Sequence, residues 1–271
     1  MLLNISGLSS QLGLRLTDDT QARQLEQLRQ QPENQRAMAA FQEEIGSITS
    51  PKELVDNYQV YSFVMRAFDL EDQIFGRGMM RKVLESDPSD ETALVNRLTD
   101  PRFRELHDAL GFTATGASKP DFNDPAWQQG IVDRYYDQAF VNNTDEQNPT
   151  VGTVLKLRRD APELNNWFEV MKDPDLSEFF RTTLGLPTEM AVIDLDRQKD
   201  IFESKFDLRT INDPEVQEEM INRYLALSDI QNPNTSVSNP VLSVLQGSSG
   251  LGVIISLSVL QVSFSASSLY R

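Results

Sequence analysis

The chain has 271 residues, enough for one large domain or two small ones around a sizeable core. It contains no cysteine, which excludes disulfides, thiolate metal sites and a thiol nucleophile. Forty-one Asp and Glu against 25 Lys and Arg give a net charge of −16, a balance that repels nucleic-acid backbones and anionic membrane surfaces.

The first residues, MLLNISGLSSQLGLRL, lack the early basic residues and continuous apolar run of a Sec signal, and residues 1–18 are left without an assigned element. Downstream, one type of helix start recurs: Ser50-Pro51, Asp100-Pro101, Asp124-Pro125, Asp173-Pro174 and Asp213-Pro214. Proline suits the first helical position because its missing N–H would be unpaired there, while the Ser or Asp oxygen accepts a bond from the first turn. Ser50 to Glu53 also has the spacing of a capping box. After these starts the apolar residues follow a helical period, as in Leu54, Tyr58, Tyr61, Met65 and Phe68, and again in Trp127, Ile131, Val132 and Tyr135. Gly111 and Gly185 stand where helices should stop. The sequence thus predicts helices near 20–30, 34–45, 51–68, 70–85, 90–98, 101–110, 125–140, 151–159, 163–172, 174–184, 195–205 and 214–228.

Some of this pattern repeats. Asn123 to Tyr135 (NDPAWQQGIVDRY) and Asn212 to Tyr224 (NDPEVQEEMINRY) agree at six of thirteen positions without a gap. Ser50 aligns with Asp124 and Asp100 with Asp173, at offsets of 74 and 73 residues. Units of about 50–113 and 124–187, and a third starting at 212, follow from this alignment. The expected fold is mainly α, a bundle or array of two to three pseudo-repeated helical units. Residues 1–48 form an N-terminal segment with one or two helices, 49–230 the repeated domain, and 231–271 a tail.

That tail changes character abruptly, with no charged residue between Asp229 and Arg271. Val253, Ile255, Leu257 and Val259 nearly alternate with polar residues, a strand-like pattern. Gln246, Gln261 and several Ser and Gly interrupt it too often for a membrane span. Val253, Ile255, Leu257, Val259 and Phe264 are therefore the candidate partner-binding residues, on a segment that either packs on its own domain or orders on a partner.

Groups suited to chemistry are scarce. His107, the single histidine, falls one helical turn after Phe103, and its counterpart in the second unit is Phe180, so an apolar packing role is expected. Asp69, Glu71 and Asp72, and Asp194, Asp196 and Asp200, are acid clusters that lack the glycine and glutamate of a calcium loop. Gly247 to Gly252 lacks the Gly-Lys of a phosphate loop. Tyr58, Tyr61, Phe63, Phe68, Tyr135, Tyr136 and Phe140 have acidic flanks, unlike a base-stacking platform, and are expected in the core. No catalytic, cofactor-binding or metal-binding residue is expected.

The runs ELVDNYQVYSFVMRAFDLED, MMRKVLESD, ALVNRLTDPRFRELHDALGF, RRDAPELNNWFEVMKDPDLSEFFRTTLGLP and DLDRQKDIFESKFDL resemble an uncharacterised alphaproteobacterial family of unknown function, over roughly residues 40–230. Genes of that family often lie among flagellar genes. The resemblance implies a non-enzymatic, flagellum-associated structural or assembly protein with protein partners, cytoplasmic or attached to the flagellum. The alternative is a cytoplasmic acidic helical module that regulates or chaperones a partner helix; a third reading, an enzyme using the acid clusters, requires a pocket with two convergent carboxylates. Oligomeric state is left open.

Overall fold

Seven of the thirteen α-helices among the described residues begin on a proline, so the chain's helix starts are written in its local chemistry. The structure, a computed structural model, describes residues 3–112 and 120–231. In chain order the helices are α1 (Ser10–Gln30), α2 (Pro32–Glu44), α3 (Pro51–Asp56), α4 (Tyr58–Ala67), α5 (Arg77–Leu84), α6 (Leu94–Arg97), α7 (Pro101–Leu110), α8 (Pro125–Gln147), α9 (Pro149–Asp160), α10 (Trp167–Lys172), α11 (Pro174–Thr183), α12 (Leu195–Lys205) and α13 (Pro214–Gln231). Short 3-10 turns lie between several of them, and no strand occurs among the described residues. The mainly α fold expected from the sequence is the fold observed; the tail, with Val253, Ile255, Leu257, Val259 and Phe264, lies outside the described residues.

All five polar-proline starts cap as expected. The side chains of Ser50, Asp100, Asp124 and Asp173 each accept a bond from a first-turn N–H, and Asp213 accepts one from Glu215 at 2.9 Å. Gly111 (φ 56°) and Gly185 (φ 65°) close α7 and α11 in the left-handed conformation that a side chain disfavours.

Several boundaries differ from the sequence reading: the segments expected over 70–85 and 90–98 are α-helical only as α5 and α6, and α8 runs on to Gln147 instead of stopping near 140. The helix expected over 51–68 breaks at Asn57, which accepts from Val60 N–H at 3.3 Å and so caps a new helix, α4. The helix expected from 163 starts at Trp167, where Asn166 and Glu169 form a reciprocal capping box. Helix α1 starts ten residues earlier than expected, capped by Ser9. At Ser50, Glu53 reaches past the cap residue to the N–H and hydroxyl of Thr49, both at 2.8 Å.

Helix α8 is the central element, packing against α9, α4 and α1. Two aromatic clusters build the core, one against α8 and one among α10–α13. In the first, Phe63 stacks between Phe41 (4.6 Å) and Tyr135 (4.2 Å), ring centre to ring centre. In the second, Trp167 stacks on Phe202 at 4.7 Å and meets Phe180 edge-on, while Phe179 contacts Tyr224. Such offset and edge contacts hold large apolar areas at fixed geometry. Of the aromatics expected in the core, Tyr58 is the exception: it is 51 % exposed, with Arg77 above its ring.

One core group is unsatisfied. Tyr61 is fully buried, its hydroxyl has no hydrogen-bond partner among the described residues, and burial pushes its pKa up to about 12. Leaving a buried hydroxyl unpaired costs ~1 kcal/mol or more, so Tyr61→Phe, which keeps the ring and deletes the oxygen, is expected to stabilise the fold by about 1 kcal/mol. A urea midpoint that rises with an unchanged m-value is the result to look for.

Candidate functional site

A groove of about 820 Å³ opens between α1 and α13. Its α13 wall is one helical face, because Pro214, Gln217, Glu218, Ile221, Asn222 and Leu225 recur at steps of three and one. From α1 come Gln11, Leu12, Leu14, Arg15, Asp18 and Asp19. Leu14, Ile221 and Leu225 are buried and make an apolar floor, whereas Leu12 stands 45 % exposed beside it.

Two polar contacts border the groove, and the second of them joins its walls. Arg158, reaching in from α9, pairs with Asp18 at 2.7 Å. Beyond Leu225 the Asp229 carboxylate accepts from the Ser10 backbone N–H at 3.0 Å and the Ser10 hydroxyl at 2.6 Å. A carboxylate there satisfies unpaired donors and meets the positive end of the α1 dipole. Asp229→Ala is accordingly expected to cost about 1–2 kcal/mol and to speed amide exchange in the first turn of α1, measured by denaturation and hydrogen exchange.

A second, more enclosed cavity of about 190 Å³ lies where the first turns of α7 and α11 face α8 and α9. Five cations line it: Arg102, Arg104, Arg134, Lys156 and Arg159. Five carboxylates do too: Asp69, Glu105, Asp160, Glu169 and Asp173. Every cation is engaged. Arg102 pairs with Asp69 and Asp100, Arg104 with Asp108, Arg134 with Glu105, and Arg159 with Asp160 and Gln138. Lys156 meets Asp173 at 2.7 Å and Asp175 at 2.9 Å. Burial alone would lower the Lys156 ammonium, but these two carboxylates outweigh it and hold it above its ordinary range. Arg102 is likewise raised: burial opposes, and Asp100 and Asp69 prevail. Glu169 instead accepts from the backbone N–H groups of Asn165 and Asn166. With every cation paired, this cavity fastens helices together and offers no unopposed positive charge to an anionic ligand.

Asp69 explains part of that arrangement. It ends α4 in the left-handed conformation (φ 56°), a position glycine usually fills, and Leu70 N–H bonds back to Met65 at 2.8 Å as in a Schellman motif. Arg102 holds Asp69 there through both its carbonyl and its carboxylate.

The sequence's other candidates fall apart spatially. His107 is buried as expected, but its surroundings are not purely apolar: one ring nitrogen lies 3.0 Å from the Asp108 carboxylate and the other 3.1 Å from the Ser86 carbonyl. Burial tends to raise the Asp108 carboxyl, yet bonds from His107 and Arg104 hold it below its usual range. Asp69, Glu71 and Asp72 gather with Asp145 and Glu146 around Arg102. Among the described residues, however, no group of three or more His, Asp and Glu is placed to hold a metal ion. Asp194 caps α12, and Asp196 and Asp200 are exposed. Gly247 to Gly252 lies outside the described residues. Sequence reasoning missed the groove; its available signal was the alternation of apolar and polar residues along the α13 face.

No helix among the described residues is long and apolar enough to cross a membrane. The family described as protein of unknown function (DUF1217) matches residues 67–217. A crystal structure of a protein from Agrobacterium tumefaciens is similar at TM-score 0.74 and 27 % identity, covering 86 % of this chain and 98 % of that one. No curated protein matches the chain.

Proposed function

The chain belongs to the DUF1217 family of proteins of unknown function, and from that premise we propose that it is a non-enzymatic, flagellum-associated structural or assembly protein acting through protein–protein contacts. One observation carries the contact reading: the groove between α1 and α13 is open, has an apolar floor of Leu14, Ile221 and Leu225, and leaves Leu12 exposed beside it. Apolar surface rimmed by polar side chains is the common form of a protein-binding site. The flagellar part rests on the gene neighbourhood that the sequence resemblance implies. Deleting the gene in its host should reduce swimming and filament assembly, and the wild-type gene should restore both while Leu12→Gln should not. Normal swimming of the deletion strain would sink the flagellar assignment; full rescue by Leu12→Gln would sink the groove.

A further inference from the structure

We infer that the groove between α1 and α13 takes a short basic amphipathic helix from a partner protein, an inference that rests on the contact reading above and names the chemistry of the partner. Length comes first. The α13 wall runs from Pro214 to Leu225, about 17 Å at the helical rise, which suits roughly three turns of a bound helix. A helix of that size presents apolar anchors at i, i+3, i+4 and i+7 on one side, the pattern that the Leu14, Ile221 and Leu225 floor and the Leu12 rim can receive.

Charge then selects the partner's sign. Within the groove Arg158 is already committed to Asp18, which leaves Arg15 facing Asp19 and Glu218. Next to Glu218, α13 adds exposed Glu215 and Glu219 before its first basic residue, Arg223. These acids sit in the first two turns, where the helix dipole favours negative charge. The whole chain carries −16, so a basic partner is drawn in at long range and an acidic one repelled. Gln11, Gln217 and Asn222 supply uncharged donors and acceptors between the acids.

The probe is a dye-labelled synthetic peptide of about 14 residues, leucine at every third and fourth position and Lys or Arg elsewhere, titrated against the full chain by fluorescence anisotropy. Its controls are a scrambled peptide of the same composition and a version with Glu in place of every base. The basic amphipathic peptide should bind at least about tenfold tighter than either control. Leu12→Gln should weaken it about tenfold, and Asp19→Lys with Glu218→Lys should weaken it by a similar factor and admit the acidic peptide. All three positions are exposed, and an unchanged thermal midpoint will show that the fold is kept. Equal binding of the scrambled peptide, preference for the acidic one, or indifference to Leu12→Gln would overturn the inference. So would concentration-dependent dimerisation abolished by Leu12→Gln, which would assign the groove to a second copy of the chain. If a photo-reactive residue at position 12 cross-links a native partner in cells while the basic peptide fails to bind, this inference falls and the contact reading stands.

Discussion

Replacing Gly152 by alanine is expected to destabilise the protein by about 3 kcal/mol, the upper part of the range for overpacking in a tight interior. Helices α8 and α9 are joined by a single residue, Asn148, which ends one and caps the other by accepting from Val151 N–H at 3.2 Å. So short a turn forces the two backbones together beside the corner. A Cβ built on Gly152 would lie 2.6 Å from the Asp145 Cβ and 2.7 Å from the Asp145 Cα, and the latter is backbone that no rotamer change can move aside. The helices would have to part, and α8 is the element against which α9, α4 and α1 all pack. A loss of this size lowers the thermal midpoint by roughly 6–12 °C in a domain of this length. Gly130→Ala, in the second turn of α8, supplies the opposite result. That glycine is exposed, has nothing within 4 Å of its would-be Cβ, and lies in a helix interior, so alanine should stabilise by ~0.5–1 kcal/mol. If Gly152→Ala were also neutral or stabilising, the tight corner would be wrong.

These two glycines mark the divide between what the sequence discloses and what only packing decides. Helix starts are legible because their chemistry is local: Asp124, Asp173 and Asp213 bond to N–H groups two or three residues ahead. Helix stops at Gly111 and Gly185 are legible for the same reason. The stop at Asp69 is disguised, since a residue with a side chain takes the left-handed position and is held there by Arg102, 33 residues further on. The early start of α1 is hidden too. Its buried positions include Ser10, Thr17 and Gln24, which blur the apolar period, and the partner of the first is distant in sequence: Ser10 is bonded to Asp229. The groove inherits this difficulty. Its walls come from the first and last helices, and nothing in either stretch states that they lie side by side. Tyr58 shows the converse error, an apolar residue in helical register with Leu54 and Tyr61 that faces solvent because the helix is re-phased at Asn57.

Lys156→Met carries the other large effect, an expected loss of about 3 kcal/mol. The lysine and its first partner are nearly enclosed, with side chains 13 % and 12 % exposed. Methionine would retain most of the apolar stem that packs between α9 and α11, so the substitution isolates the charge from the volume. What it leaves behind is the Asp173 carboxylate, buried and without its cation. Breaking one half of a buried pair costs more than the pair itself contributes, because the surviving charge remains desolvated. Asp173 is partly protected by its second role, accepting from the N–H groups of Asp175 and Leu176 at 3.0 and 3.1 Å as the α11 cap. Those bonds give a way to test the cause. Asp173→Asn preserves an oxygen for the cap and removes the charge, so in the Lys156→Met background it should recover about half of the loss, whereas alone it should destabilise by leaving the lysine only the more exposed Asp175 as a carboxylate partner. A coupling energy of at least ~1 kcal/mol between the two positions in that double-mutant cycle is the expected measurement, since the residues touch and share a desolvated site. Strictly additive losses would mean that Lys156 acts through its stem alone and that the ion pair, despite its burial, contributes nothing to holding α9 against α11.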